Sequence, residues 1–184
     1  GITGCTFTDN SSGGRGGGAF ASGYAVVSFA DTVFNRNWAE YGGAIYISAG
    51  SRARLHRCRV EDNGASVGGG LATIESSADV LLESSLIASN QGGAYGGGVA
   101  AGNGTLTVKN CTIANNTAGA LGAGMIVGRD ATVTNSIVWG NVVDSRSGVW
   151  PDEVAQIEGI GFAEIAFSDV QGWSGTYGGD GNIG

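Results

Sequence analysis

Cys58-Arg59-Val60-Glu61-Asp62-Asn63 returns as Cys5-Thr6-Phe7-Thr8-Asp9-Asn10 and again as Cys111-Thr112-Ile113-Ala114-Asn115-Asn116. Its closing residue recurs more often still, at Asn10, Asn37, Asn63, Asn90, Asn116 and Asn141, with spacings of 27, 26, 27, 26 and 25 residues. The intervening copies open on Thr32, Ser85 and Ser136. A second marker keeps step with the first, at Ala19-Phe20, Ala44-Ile45, Gly70-Leu71, Gly98-Val99 and Gly124-Met125. Two signals holding one period over so many copies mark an internal repeat.

Within each copy the apolar residues alternate. Val80 and Leu82 correspond to Leu106 and Val108, and to Ala131 and Val133. Period two is the signature of a strand with one buried face. Three residues on stands the small Cys, Ser or Thr, and two beyond that Phe7, Phe34, Val60, Ile87, Ile113 or Val138. A step of three within a period of two requires a bend that resets which face points inward. A coil of ~26 residues cannot bury its apolar face alone, but parallel copies stacked ~4.8 Å apart close a continuous core. A leucine-rich repeat would need its own leucine signature and helical segments, and neither is present. The reading is therefore all-β: a single-stranded parallel β-helix, or solenoid, of about six to seven rungs. The recurrent Asn then forms a ladder, because an amide both donates and accepts, and Asn also tolerates a left-handed turn.

Gly42-Gly43-Ala44-Ile45 and the Phe34-x-x-Asn37 spacing resemble the repeats of the polymorphic outer membrane proteins. Asn135-Ser136-Ile137-Val138-Trp139-Gly140-Asn141 and Ser168-Asp169-Val170-Gln171-Gly172 are similar to bacterial secreted β-helix proteins of the choice-of-anchor type, within a pectate-lyase-like superfamily. The resemblance spans essentially the whole chain. It implies a right-handed coil and an extracellular or cell-surface setting, and it assigns no catalytic residue.

The 184 residues suit one domain, 1–184, and the chain opens in mid-pattern, as a fragment of a longer protein would. A formal charge of −7 with a single lysine, Lys109, disfavours nucleic acid as a partner. No apolar run reaches the ~20 residues of a membrane span. After Asn141 the period lengthens: Val133, Ser136 and Val138 match Ile165, Ser168 and Val170, 32 residues on. Residues 142–164 are thus read as an insertion or capping loop, and 171–184 as a C-terminal turn or tail. Exposed strand edges recruit other chains, so end-to-end self-association is expected unless that insertion and tail cover the C-terminal end.

Several side chains are candidates for chemistry. Cys5, Cys58 and Cys111 share one register but lie two coils apart, ~9.6 Å, beyond the ~7 Å a disulfide allows, so they are expected to be free thiols. His56, Glu83 and Lys109 should stand on consecutive rungs as an outward column. A polysaccharide lyase could use Lys109 or His56 as base and Arg54 or Arg57 to hold a uronate carboxylate. The bland alternative is a salt-bridged sheet face, with Asp79 beside Arg52 and Asp31 beside Arg57. Trp38, Tyr41, Trp139 and Trp150 are candidate platforms for a sugar or a protein. Tyr41, Val67, Tyr95 and Leu121, however, share a register that reads as core. The Asp9-Asn10 and Asp62-Asn63 turns are candidates for calcium, with no dedicated loop spacing; no other metal or cofactor is expected. The favoured function is a non-catalytic extracellular scaffold or adhesion module meeting a polysaccharide or protein through its lateral face or loops; the alternative is a polysaccharide lyase-like or other carbohydrate-active enzyme.

Overall fold

A computed structural model describes residues 1–74, 77–128, 130–144, 152–159 and 162–184. Each coil contributes short strands to four parallel sheets. Sheet one is built from Ile2–Thr3, Val26–Ala30, Arg52–His56, Ala78–Glu83, Gly104–Lys109, Asp130–Thr134 and Phe162–Ala166. Sheet two holds Thr6–Thr8, Val33–Asn35, Arg59–Glu61, Leu86–Ala88, Thr112–Ala114, Ile137–Trp139 and Asp169–Val170. Sheet three holds Trp38–Tyr41, Gly64–Val67, Gln91–Tyr95, Thr117–Ala118 and Val142–Val143. Sheet four holds Ala19–Ala21, Ile45–Ile47, Leu71–Thr73, Val99–Ala101, Met125–Val127 and Ile157–Gly159.

The registers follow the repeat. Val80 pairs Leu106, which pairs Ala131, while Ile87 pairs Ile113, which pairs Val138. The lengthened step holds as well, with Val133 opposite Ile165 and Val138 opposite Val170. The added residues fall between sheets three and four. There the chain runs from Val142–Val143 through a short helix, Asp152–Gln156, before Ile157–Gly159 resumes the coil.

One residue makes each corner between sheets one and two. Asp31, Arg57, Ser84, Asn110, Asn135 and Phe167 all have φ between +50° and +54°. That single left-handed residue is the reset implied by the step of three, and its N–H bonds one coil on, as Arg57 N–H does to the Glu83 carbonyl at 3.1 Å. Non-glycine residues pay for this conformation, so the neighbouring coil must hold it in place. The next corner corrects a sequence expectation. The left-handed turn belongs to Asp9, Arg36, Asp62, Ser89, Asn115 and Gly140, each one residue before the ladder Asn, and not to the Asn itself. The ladder amide has to point inward, which leaves the preceding residue to turn the chain.

Between sheets three and four the corner needs glycine. Gly68 has φ +68°, and a Cβ on Gly69 would lie 2.4 Å from the carbonyl oxygen of Gln91. The paired glycines therefore let neighbouring coils approach where a methyl would strike backbone.

The core is a set of columns. Phe29, Leu55, Leu82, Val108, Val133 and Ile165 line it from sheet one, and Phe34, Val60, Ile87, Ile113, Val138 and Val170 from sheet two. Phe7 stacks on Phe34 at 4.8 Å between ring centroids, and Phe29 meets Phe34 edge-on at 5.1 Å. The polar columns are equally regular. Amide-to-amide bonds of 2.9 to 3.0 Å link Asn10, Asn37, Asn63, Asn90, Asn116 and Asn141 in order. All but Asn10 are buried. A buried amide is tolerated only when its donors and acceptors are met, and the stack meets them by repetition.

Candidate functional site

The outward column on sheet one forms as the spacing implied. His56 lies opposite Glu83, and Glu83 opposite Lys109. Apart from Lys109, its charges are engaged with one another. Arg54 places a guanidinium nitrogen 2.6 Å from Glu83 Oε2, and His56 Nδ1 stands 3.2 Å from the same oxygen. Arg57 donates to the other imidazole nitrogen, Nε2, and is itself held by both oxygens of Asp31 at 2.7 Å. Nε2 is thus engaged by Arg57, while Nδ1 is buried close to Glu83 without making a hydrogen bond. The Arg54 hydrogen bond holds the Glu83 carboxyl below the usual carboxylate range, and the Arg57 hydrogen bond does the same for Asp31. Arg52 adds a pair with Asp79, whose carboxyl also accepts from the Thr105 hydroxyl at 2.8 Å. Lys109 is exposed and is followed on the next coil by Thr134.

The aromatic candidates divide. Trp38 is 51 % exposed and lies against Gly64 of the next coil on sheet three. Tyr41 is half-buried and meets Tyr46 with ring centroids 6.4 Å apart. The register Tyr41, Val67, Tyr95 and Leu121 is real. Its reading as part of the core is corrected: Tyr41 and Val67 pack outside the main core, with Tyr46, Ala72 and Ala100, in a smaller cluster across the glycine corner, and Tyr95 is 42 % exposed. Period two finds which residues share a face but not the angle at which two sheets meet, and here the outer sides of sheets three and four close on each other. Trp150 lies outside the described residues.

Trp139 is 44 % exposed at the C-terminal end of sheet two, on the same strand as exposed Ile137. Phe167 and Ile183 are also exposed, and both line an open depression of about 280 Å³ with Ile137, Asn135 and Asp169. This apolar patch was missed in the sequence. One signal was available: Phe167 occupies a corner position that holds Asp31, Arg57, Ser84, Asn110 and Asn135 elsewhere. Another open depression, about 450 Å³, is lined by Gly92, Gly93 and Gly119, with Gln91, Thr117, Val142 and Asp144.

The Asp-Asn turns do not gather oxygen ligands. Asp9 accepts two hydrogen bonds from Arg36 at 2.8 Å, Asp62 takes the Asn35 amide, and Asn10 and Asn63 turn into the ladder. Cys5, Cys58 and Cys111 are free thiols, the first exposed and the other two buried. Burial pushes the Cys58 and Cys111 thiols up, away from the reactive thiolate. Among the described residues no helix is long and apolar enough to cross a membrane, which says nothing about a strand-built barrel.

The family described as the right handed beta helix region matches residues 1–157. No curated protein and no solved structure matches the chain.

Proposed function

This chain belongs to the right-handed β-helix family, and on that premise we propose that it is a non-catalytic, extracellular scaffold of the adhesion type. It presents its lateral face to a glycan or protein ligand. One observation carries this reading: apart from Lys109, the outward charges best placed for lyase chemistry are engaged with each other. Glu83 sits between Arg54 and His56, and Arg57 between His56 and Asp31. A general base must reach a substrate proton, and of the His56 nitrogens Nε2 is engaged by Arg57 and Nδ1 is buried. Among the described residues the depressions along the coils are open, unlike the concave sites that bury most of a ligand.

Trp139 and Ile137, exposed on one strand, together with the depression that Ile137 lines with Phe167 and Ile183, are the surface we assign to the ligand. An exposed indole on the same strand as an exposed isoleucine suits the face of a sugar ring or an apolar side chain of a partner. The test is a glycan and protein binding screen with the intact chain, followed by Trp139→Ala. Loss of affinity by about tenfold or more is expected for a contact of this kind. Incubation with uronate polymers decides the rival reading. Unsaturated products that vanish in Lys109→Ala would overturn the scaffold assignment.

A further inference from the structure

Sheet three carries a surface that belongs neither to the charge pairs of sheet one nor to the Trp139 patch. Trp38, Glu40, Gln91, Gly93 and Thr117 all face solvent there. Register sets Trp38, Gly64, Gln91 and Thr117 side by side on four consecutive coils. The charged residues of this face, Glu40 and Asp144, are both acidic. The indole of Trp38 is 51 % exposed, and a Cβ on Gly64 would lie 3.2 Å from its Cδ1. Glycine at 64, where the next coils carry Gln91 and Thr117, therefore seats the indole against the sheet with half of its surface left to solvent.

The repeat is broken one coil further on. Gly64 pairs Gln91 and Ala65 pairs Gly92, yet Val67 pairs Tyr95, so the strand Gln91–Tyr95 holds one residue too many. A bulge of this kind re-aims the side chains beside it and is a recurrent feature next to functional sites. The residue it exposes is Gly93. Its φ is not left-handed, and a Cβ there would meet nothing closer than 3.4 Å. The fold does not demand glycine at 93, in contrast to Gly119, whose Cβ would strike the Gly93 carbonyl oxygen at 2.1 Å. Its effect is to leave bare the depression of about 450 Å³ that Gln91 and Thr117 also line. Among the described residues, neither the Gln91 amide nor the Thr117 hydroxyl has a hydrogen-bond partner.

We infer that the outer face of sheet three binds a neutral glycan, laid along the coil axis from Trp38 to the Gly93 depression. This goes beyond the scaffold reading by adding a surface on a different sheet from Trp139 and by fixing the class of ligand. A sugar ring offers an apolar face to the indole, and hydroxyls that donate and accept to the amide of Gln91 and the hydroxyl of Thr117. A polyanionic chain would meet Glu40 and Asp144 with no Lys or Arg among the outward residues to balance it. A protein partner draws its affinity from apolar anchors in desolvated pockets, and a floor of glycine supplies none. Trp38 and Thr117 lie three coils apart, about 14 Å at ~4.8 Å per coil, a span that a short run of sugars in an extended chain covers.

The experiment is affinity electrophoresis of the full chain in gels holding a mixed-linkage β-glucan, a galactomannan or a glucomannan, with polygalacturonate as the acidic counterpart. At least one neutral polymer should retard the wild type, and polygalacturonate should not. Trp38→Ala and Gly93→Leu should each weaken the retardation by about tenfold, the second by filling the depression. Thr107→Ala, on the outer face of sheet one, should leave it unchanged. Where Gly93→Leu loses its strand circular dichroism, Gln91→Ala combined with Thr117→Ala serves instead. Three outcomes overturn the inference: no neutral polymer bound, polygalacturonate bound as tightly as the neutral polymers, or retardation indifferent to the sheet-three variants. The scaffold reading fails by a different result, the release of unsaturated products from a uronate polymer.

Discussion

Replacing Asn116 by Ala tests whether the ladder stabilises the coil stack or merely accompanies it. Asn116 is fully buried, and its Oδ1 accepts from Asn90 N–H at 2.9 Å and from Asn90 Nδ2 at 3.0 Å. The other amide proton of Asn90 is already committed to the Val60 carbonyl. Truncation therefore orphans two buried donors, and the Ile87 carbonyl and Asn141 Oδ1 each lose one donor as well. A buried group left unsatisfied costs about 1–3 kcal/mol, so the expected loss is about 2–6 kcal/mol. Asn10→Ala is the internal control. It removes one amide bond at the partly exposed end and leaves the Asn10 N–H still bonded to Asn37 Oδ1, for a loss of about 1 kcal/mol or less. Urea unfolding followed by circular dichroism reads both, with the slope checked for partial unfolding, since stacked repeats can come apart in stages. If the two variants lie within about 0.5 kcal/mol of each other, the orphaned-donor argument is wrong.

Native protein should expose one of its three thiols, Cys5, to Ellman's reagent, and denatured protein all three; rapid native labelling of Cys58 or Cys111 would contradict their burial. Asp9, Asp31, Asp79 and Glu83 all have carboxyls held below their ordinary values, by Arg36, Arg57, the Thr105 hydroxyl with Arg52, and Arg54. Their folded values lie below the unfolded ones, so their contribution is present above the ordinary carboxylate range and is lost as pH falls below about 4. Thermal melts from pH 6 to pH 2 should show that decline, smaller in high salt, and a flat profile would refute it. Glu153 is buried, accepts from the Ser174 hydroxyl through Oε2, and leaves Oε1 with no partner. Glu153→Gln keeps the acceptor for Ser174 while removing a buried charge, and should raise stability by about 1 kcal/mol; a lower melting temperature would show that the charge is needed there.

Much of this was legible in the sequence because the coil converts chain distance into spatial contact at a fixed interval. Every inward column, the small-residue slot shared by Cys58 and Ser85, and the ion pairs Arg52–Asp79 and Arg57–Asp31 follow from counting about 26 residues. What escaped is whatever breaks that periodicity. Gln156 reaches the ladder 15 residues after Asn141 from a helix outside the repeat, and Asn182 meets Ser168 from 14 residues on. No count of the period could find either. The outer cluster of Tyr46, Ala72 and Ala100 was equally hidden, since alternation assigns side chains to a face without saying whether that face meets another.

These two kinds of residue bear differently on function. A column repeated on every coil must satisfy its neighbours above and below, and the His56, Glu83 and Arg54 group shows the consequence: chemistry placed in register is neutralised by the register itself. Residues that depart from the pattern have no such obligation. Trp139, Phe167 and Ile183 lie where the coils lengthen and the tail folds back, and they keep apolar surface open to solvent. A ligand site on this scaffold should therefore be sought where the repeat is broken, at its C-terminal end. By the same argument, Ala88→Trp, which moves the indole to the equivalent position of an unbroken coil, should not restore ligand binding to Trp139→Ala, because Ala88 pairs with Glu61 and Ala114 on two regular neighbours. Equal binding by Ala88→Trp in a Trp139→Ala background would show that the indole alone suffices.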